Sequence, residues 1–171
     1  MIESILLQAD RPIGIALSGK TRPAHRILVV DDDIAILRLN AEALKRHGFE
    51  VDAAADGAAA WQALNNQEYD LLITDNRMPN VTGVELIKKV RSAHMALPVI
   101  MATEVWPGEE MTLYPWLQPV ATLLKPYDIK QLLVTVREVL HATDSSREIT
   151  AGQLDWQNKS DTAQRIPIQF L

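Results

Sequence analysis

Between residues 26 and 141, five short strand-like runs, most of them apolar, alternate with five longer segments whose apolar residues recur every three or four positions. The runs are 26–30, 49–54, 70–74, 98–102 and 121–124, and the periodic segments lie near 33–46, 57–66, 83–92, 108–117 and 127–141. Short runs rich in Val, Ile and Leu suit buried strands, and the longer periodic segments suit helices with one apolar face. In the first helix Ile34, Leu37, Ala41 and Leu44 share a face, and His47-Gly48 supplies the stop. In the last, Ile129, Leu132, Leu133, Val136, Val139 and Leu140 keep the spacing, with Asp128 placed near its start. Strands that alternate with helices return parallel to one another through the helical crossover. The expected class is therefore α/β, with a five-stranded parallel sheet covered on both faces.

A chain of 171 residues that is 47% hydrophobic and 23% charged has the composition of one soluble domain. Residues 1–24 and 143–171 lack sustained periodicity and read as an N-terminal extension and a C-terminal tail around a domain at 25–142. The absence of cysteine excludes disulfides and thiolate metal sites. A net charge of −5 with no basic patch argues against direct nucleic-acid binding. No segment has the length of a membrane span or the pattern of a secretion signal, so a cytoplasmic location is expected.

The polar residues at the strand ends carry the chemistry. The first strand runs into Asp31-Asp32-Asp33, the third into Asp75, the fourth into Thr103 and the fifth into Lys125-Pro126. In an open α/β sheet, ligands sit in the crevice beyond the carboxyl ends of the strands. Two carboxylates about 4 Å apart repel by roughly 4 kcal/mol at an effective dielectric near 20, so such a cluster calls for a cation. A hard divalent ion with oxygen ligands meets that need, and acids, a hydroxyl and an ammonium together suit phosphoryl handling. For Asp33 the simpler reading is a cap on the helix that starts at Ile34.

The segments Ile27–Asp32, Asp75-Asn76-Arg77-Met78-Pro79-Asn80-Val81-Thr82-Gly83, Leu97–Thr103 and Leu124-Lys125-Pro126-Tyr127 resemble the receiver domain of two-component response regulators, in order and over roughly residues 25–142. The resemblance implies a doubly wound, flavodoxin-like sheet in the order 2-1-3-4-5. It implies Asp75 as phosphoacceptor, with Thr103 and Lys125 contacting the phosphoryl group. It also implies Mg2+ held by Asp32, Asp75 and the backbone carbonyl of Arg77, with Asp31 acting through water. The implied partners are a histidine kinase or histidine phosphotransfer protein and a downstream protein, with a second copy of the chain as a further candidate. On this reading the domain signals by protein contact without an attached DNA-binding domain, and catalyses only its own phosphorylation and dephosphorylation.

Three features depart from the family pattern. Glu104 stands where a small residue usually follows the switch hydroxyl, and Thr122 stands where an aromatic residue is common three positions before the lysine. Pro107, Pro115 and Pro119 crowd the fourth helix, and Pro115 is expected to break it. Glu104 and Arg77 are expected to pair across the rim of the pocket. These departures keep open a degenerate receiver that only binds partners. A more distant alternative is a haloacid-dehalogenase-like phosphatase, with Asp31 as nucleophile and Asp33 as general acid.

Overall fold

The computed structural model describes residues 24–163, with side chains described as far as Ile149. The elements in chain order are β1 (Arg26–Val30), α1 (Ile34–Arg46), β2 (Glu50–Ala54), α2 (Gly57–Asn66), β3 (Leu71–Thr74), α3 (Gly83–Ser92), β4 (Val99–Thr103), α4 (Gly108–Leu113), a 3-10 turn (Pro115–Leu117), β5 (Ala121–Leu124) and α5 (Ile129–Ala163). All strand pairings are parallel, and the sheet order is β2-β1-β3-β4-β5. The alternation expected from the sequence is thus the architecture observed, a doubly wound, flavodoxin-like sheet in the order 2-1-3-4-5.

β1 shows why its run is continuously apolar. Ile27 and Val29 face one layer with Leu37, Ala41 and Leu44 of α1 and Leu132 and Val136 of α5. Leu28 and Val30 face the other, with Ala60 and Leu64 of α2, Leu86 and Val90 of α3, and Met111 of α4. A strand buried on both sides has no use for alternation. β5 lies at the sheet edge, and there alternation returns: Leu123 is buried while Thr122 and Leu124 are exposed.

The helix ends follow local chemistry. Asp33 caps α1, its carboxylate accepting from the amides of Ala35 and Ile36 at 2.9 and 3.2 Å. Thr82 and Glu85 form a reciprocal capping box at the start of α3. Pro115 acts as expected: α4 closes at Leu113, and the chain continues as a single 3-10 turn. Trp61, on α2, packs against the core.

The last helix corrects its expected end at 141, because it continues to Ala163. The polar stretch Thr143-Asp144-Ser145-Ser146 does not end it. The hydroxyls of Thr143, Ser145 and Ser146 donate to the carbonyls of Val139, His141 and Ala142 on the preceding turn, at 2.9 Å each. Two contacts then tie this stretch to the amino-terminal edge of the sheet: Asp144 lies 3.3 Å from His25, and Arg147 pairs with Asp70 at 3.1 Å. Burial works against the Asp70 carboxylate, but the Arg26 amide and the Arg147 guanidinium outweigh it and hold the group below its ordinary range. The extension at 1–24 falls outside the described residues apart from Ala24, as do residues 164–171 and the side chains of Trp156 and Phe170.

If 143–171 is an appendage, its deletion removes contacts such as the largely exposed Arg147–Asp70 pair, worth about 0–1 kcal/mol. Cooperative unfolding is then expected to persist with a midpoint lowered by no more than roughly 8 °C. A drop several times larger in a thermal scan means that the tail belongs to the core.

Candidate functional site

The three acids, Thr103 and Lys125 each stand at the end of a strand or one or two positions past it, and Arg77 three past β3, so the parallel sheet delivers them all to one edge. Asp31 and Asp32 follow β1, and Asp75 follows β3, the neighbouring strand. Carboxylate oxygens of the three lie within 4.8 Å of one another, with Asp31 and Asp75 buried and Asp32 exposed. Lys125, just past β5, reaches back across β4: its Nζ donates to Asp31 Oδ2 at 2.7 Å and to Asp75 Oδ2 at 3.0 Å. The other Asp75 oxygen accepts from the amides of Asn76 and Arg77 at 2.6 and 3.3 Å. Asp31 Oδ1 accepts from the Asp33 amide at 3.0 Å.

Burial pushes the Asp31 carboxyl above its ordinary range, against the opposing pull of Lys125. Burial alone would lower Lys125, but its hydrogen bonds and charge attraction to Asp31 and Asp75 outweigh it and hold the ammonium above its usual value. Three carboxylates face a single ammonium here. The donors are all hard oxygens, and the negative charge left over is what one divalent cation neutralises. The residues present therefore fit Mg2+.

Thr103 is fully buried at the end of β4. Its hydroxyl donates to the Val105 carbonyl at 3.0 Å, and its carbonyl accepts from the Lys125 amide at 3.0 Å. It is thus built into the β4 and β5 ends beside the acids. Asp33, the general acid of the phosphatase alternative, has a carboxylate oxygen engaged in capping α1. The expected Arg77–Glu104 pair is present, with Arg77 Nη1 3.2 Å from Glu104 Oε2.

Two supporting features escaped the sequence reading. Asn40 is 3% exposed, and its amide donates to the Tyr127 hydroxyl at 2.9 Å, which ties α1 to the loop that carries Lys125. The signal was an amide on the otherwise apolar face of α1. Asn76 organises the loop after β3: its carbonyl accepts from Gly83 N at 3.1 Å, and its side-chain oxygen accepts from Val84 N at 3.1 Å. Beside the acids lies a cleft of about 660 Å3 whose lining includes Ile36, Leu39, Asn40, Glu104, Lys125 and Tyr127.

A doubly wound sheet in this strand order, with acids and a lysine gathered at its carboxyl edge, defines a receiver-type α/β module. The chain belongs to the response regulator receiver domain family, whose model matches residues 27–137. It is 33% identical over 129 residues to the probable transcriptional regulatory protein SilR of Salmonella typhimurium, an alignment covering 75% of this chain and 56% of that protein. The chain thus spans little more than half of that relative's length. Among solved structures, it is similar to a CheY-like receiver domain protein of Methanospirillum hungatei, with a TM-score of 0.68 and 28% identity over 72% of this chain and 98% of that one. It is also similar to the chemotaxis response regulator CheY4 of Vibrio cholerae, with a TM-score of 0.62 and 32% identity over 68% of this chain and 98% of that one. Phosphorylation and Mg2+ are general features of the family.

Proposed function

We propose that this receiver takes a phosphoryl group onto Asp75 from the phosphohistidine of a kinase or phosphotransfer protein, and signals by contact with a downstream protein. The observation that carries the reading is Lys125 bridging two buried carboxylates, Asp31 and Asp75, with Asp32 beside them. An Asp75 oxygen attacks phosphorus, the bond to the donor imidazole breaks, and the imidazole leaves with its electron pair. Two backbone amides hold the other Asp75 oxygen, which aims the nucleophile. Lys125 sits within reach of the phosphoryl oxygens and offsets their charge. Thr103 donates to the phosphoryl group after leaving the Val105 carbonyl. Asp32, Asp75 and the Arg77 carbonyl would hold Mg2+, with Asp31 acting through water, and the ion would neutralise phosphoryl oxygens as charge shifts during transfer. The domain on this reading catalyses only the phosphorylation and dephosphorylation of its own Asp75.

The setting this chemistry needs is the cytoplasm, where kinases draw on ATP. Among the described residues, no helix is long and apolar enough to cross a membrane. Output by protein contact is supported by the apolar side chains exposed at one side of the domain: Leu113, Tyr114, Trp116, Val120 and Leu124. The early end of α4 places Tyr114 and Trp116 in or beside the 3-10 turn.

Mass-spectrometric mapping after incubation with acetyl phosphate and Mg2+ tests the reading. Label on Asp75 supports it, and a chain that takes no label is the degenerate, purely binding receiver. A second check needs no phosphate. Mg2+ at a hundredfold excess over its Kd is expected to stabilise the fold by about 2.7 kcal/mol, or roughly 5–10 °C in midpoint. Asp32→Ala removes a carboxylate ligand and is expected to abolish most of that shift. An undiminished shift in this variant places the ion elsewhere.

A further inference from the structure

We infer that Glu104 sets which phosphodonors reach Asp75, holding back small donors in proportion to their negative charge, with Arg77 as its counter-charge. The inference rests on Asp75 being the phosphoacceptor and deepens that reading.

Arg77 lies on the loop after β3 and Glu104 on the loop after β4, so their contact joins two neighbouring loops at the sheet edge. The Arg77 amide touches Asp75 Oδ1 at 3.3 Å, and Glu104 directly follows the buried Thr103. Both side chains are about two-thirds exposed, at 65% and 64%. The pair therefore stands in solvent above the acids, and it is monodentate, through Arg77 Nη1 alone. Glu104 also lines the cleft that holds Lys125, Asn40 and Tyr127.

Nothing in the fold calls for a carboxylate here. Glu104 caps no helix, since α4 begins only at Gly108, and its side chain stays largely in solvent. What it does is place a negative charge at the approach to a pocket that already holds three carboxylates. A phosphodonor is itself an anion, so each approach meets repulsion that grows with donor charge. Arg77 offsets part of it, and an exposed pair of this kind is sensitive to salt. A protein donor differs from a free one because it can present a basic side chain to Glu104 while its phosphoimidazole enters the pocket.

The test compares acetyl phosphate, a dianion, with phosphoramidate, a monoanion near neutral pH. In the first, the bond from phosphorus to the acetate oxygen breaks and acetate leaves. In the second, the phosphorus–nitrogen bond breaks and ammonia leaves. Initial rates of Asp75 labelling are measured on the full chain at fixed Mg2+ for wild type, Glu104→Gln, Glu104→Ala, Arg77→Gln and the Arg77→Gln/Glu104→Gln double variant. Glu104→Gln keeps the shape and removes the charge. It is expected to label about three- to tenfold faster than wild type with acetyl phosphate, and by about the square root of that factor, roughly two- to threefold, with phosphoramidate. The gain shrinks as salt rises from about 50 to about 500 mM. Arg77→Gln labels several-fold more slowly, and that loss disappears in the double variant.

A wild type that labels at the same rate as Glu104→Gln overturns the inference while leaving Asp75 as phosphoacceptor. So does a gain confined to Glu104→Ala, which indicates bulk, or an equal gain for both donors. Label on Glu104→Gln but not on wild type is the inference in its strongest form. No label on any variant overturns both the inference and the phosphoacceptor reading beneath it.

Discussion

An Asp75→Asn variant is expected to take no phosphoryl label from acetyl phosphate and Mg2+, while Asp33→Ala labels at close to the wild-type rate. The side-chain amide introduced by Asp75→Asn keeps the shape of the carboxylate. Its oxygen can still accept from the Asn76 and Arg77 backbone amides, so the loop after β3 holds its form. Lys125 keeps its shorter contact, 2.7 Å to Asp31. The variant loses the negative oxygen that attacks phosphorus, and an uncharged amide is no substitute nucleophile. Asp33 differs because its carboxylate caps α1. Its loss weakens a helix end by about 0.5–2 kcal/mol without touching the acids that face Lys125. Circular dichroism confirms that both variants are folded, and mass spectrometry reads the label. Label persisting on Asp31 in the Asp75→Asn variant sinks the receiver chemistry and revives the phosphatase alternative.

The second large effect is expected from one methyl group. A Cβ added at Gly83 meets the Asp75 carbonyl oxygen at 2.2 Å, the Asn76 Cα at 2.9 Å and the Asp75 carbonyl carbon at 3.0 Å. All three are backbone atoms, so no side chain can swing away and the whole loop has to shift. Gly83 is needed for this close approach, since its backbone lies outside the left-handed region. Overpacking of this kind costs about 1–3 kcal/mol. Two of the three atoms belong to Asp75, the proposed phosphoacceptor, and the third to the next residue, so Gly83→Ala is expected to slow phosphorylation as well as lower the midpoint.

Gly57→Ala supplies the control. Its Cβ meets the Val81 carbonyl at 2.6 Å, on the same loop but farther along the chain from Asp75. At a matched loss of stability, Gly83→Ala is expected to label more slowly than Gly57→Ala. Equal labelling rates for the two would mean that the tight packing at Gly83 serves the fold and not the site.

The sheet and the residues at its edge were readable because their signals are local. The runs of β1, β3 and β4 are continuously apolar up to their last residues since helices cover both faces, and each leads into a polar residue at the sheet edge. Pro115 stops α4 through its own ring, and Asp33 caps α1 through the next amides, so neither needs distant partners. Even the Arg77–Glu104 pair followed from counting past neighbouring strand ends.

Contacts between residues far apart in the chain decided the rest. Asn40 and Tyr127 are 87 positions apart, and only the packing of α1 against α5 brings them into contact. Asp31 and Asp32 are adjacent and chemically identical, yet the first, directly after β1, is buried against Lys125, while the second, in the bend that leads to α1, is exposed. The passage of α5 through residues 143–147 likewise involves distant partners. Ser, Thr and Asp in succession read as a helix end, since their side chains compete for backbone hydrogen bonds. In the folded chain the hydroxyls bond to the preceding turn, while Asp144 and Arg147 find His25 and Asp70 at the far edge of the sheet. Those partners come from the lead-ins to β1 and β3, and they face the helix only once the sheet has formed.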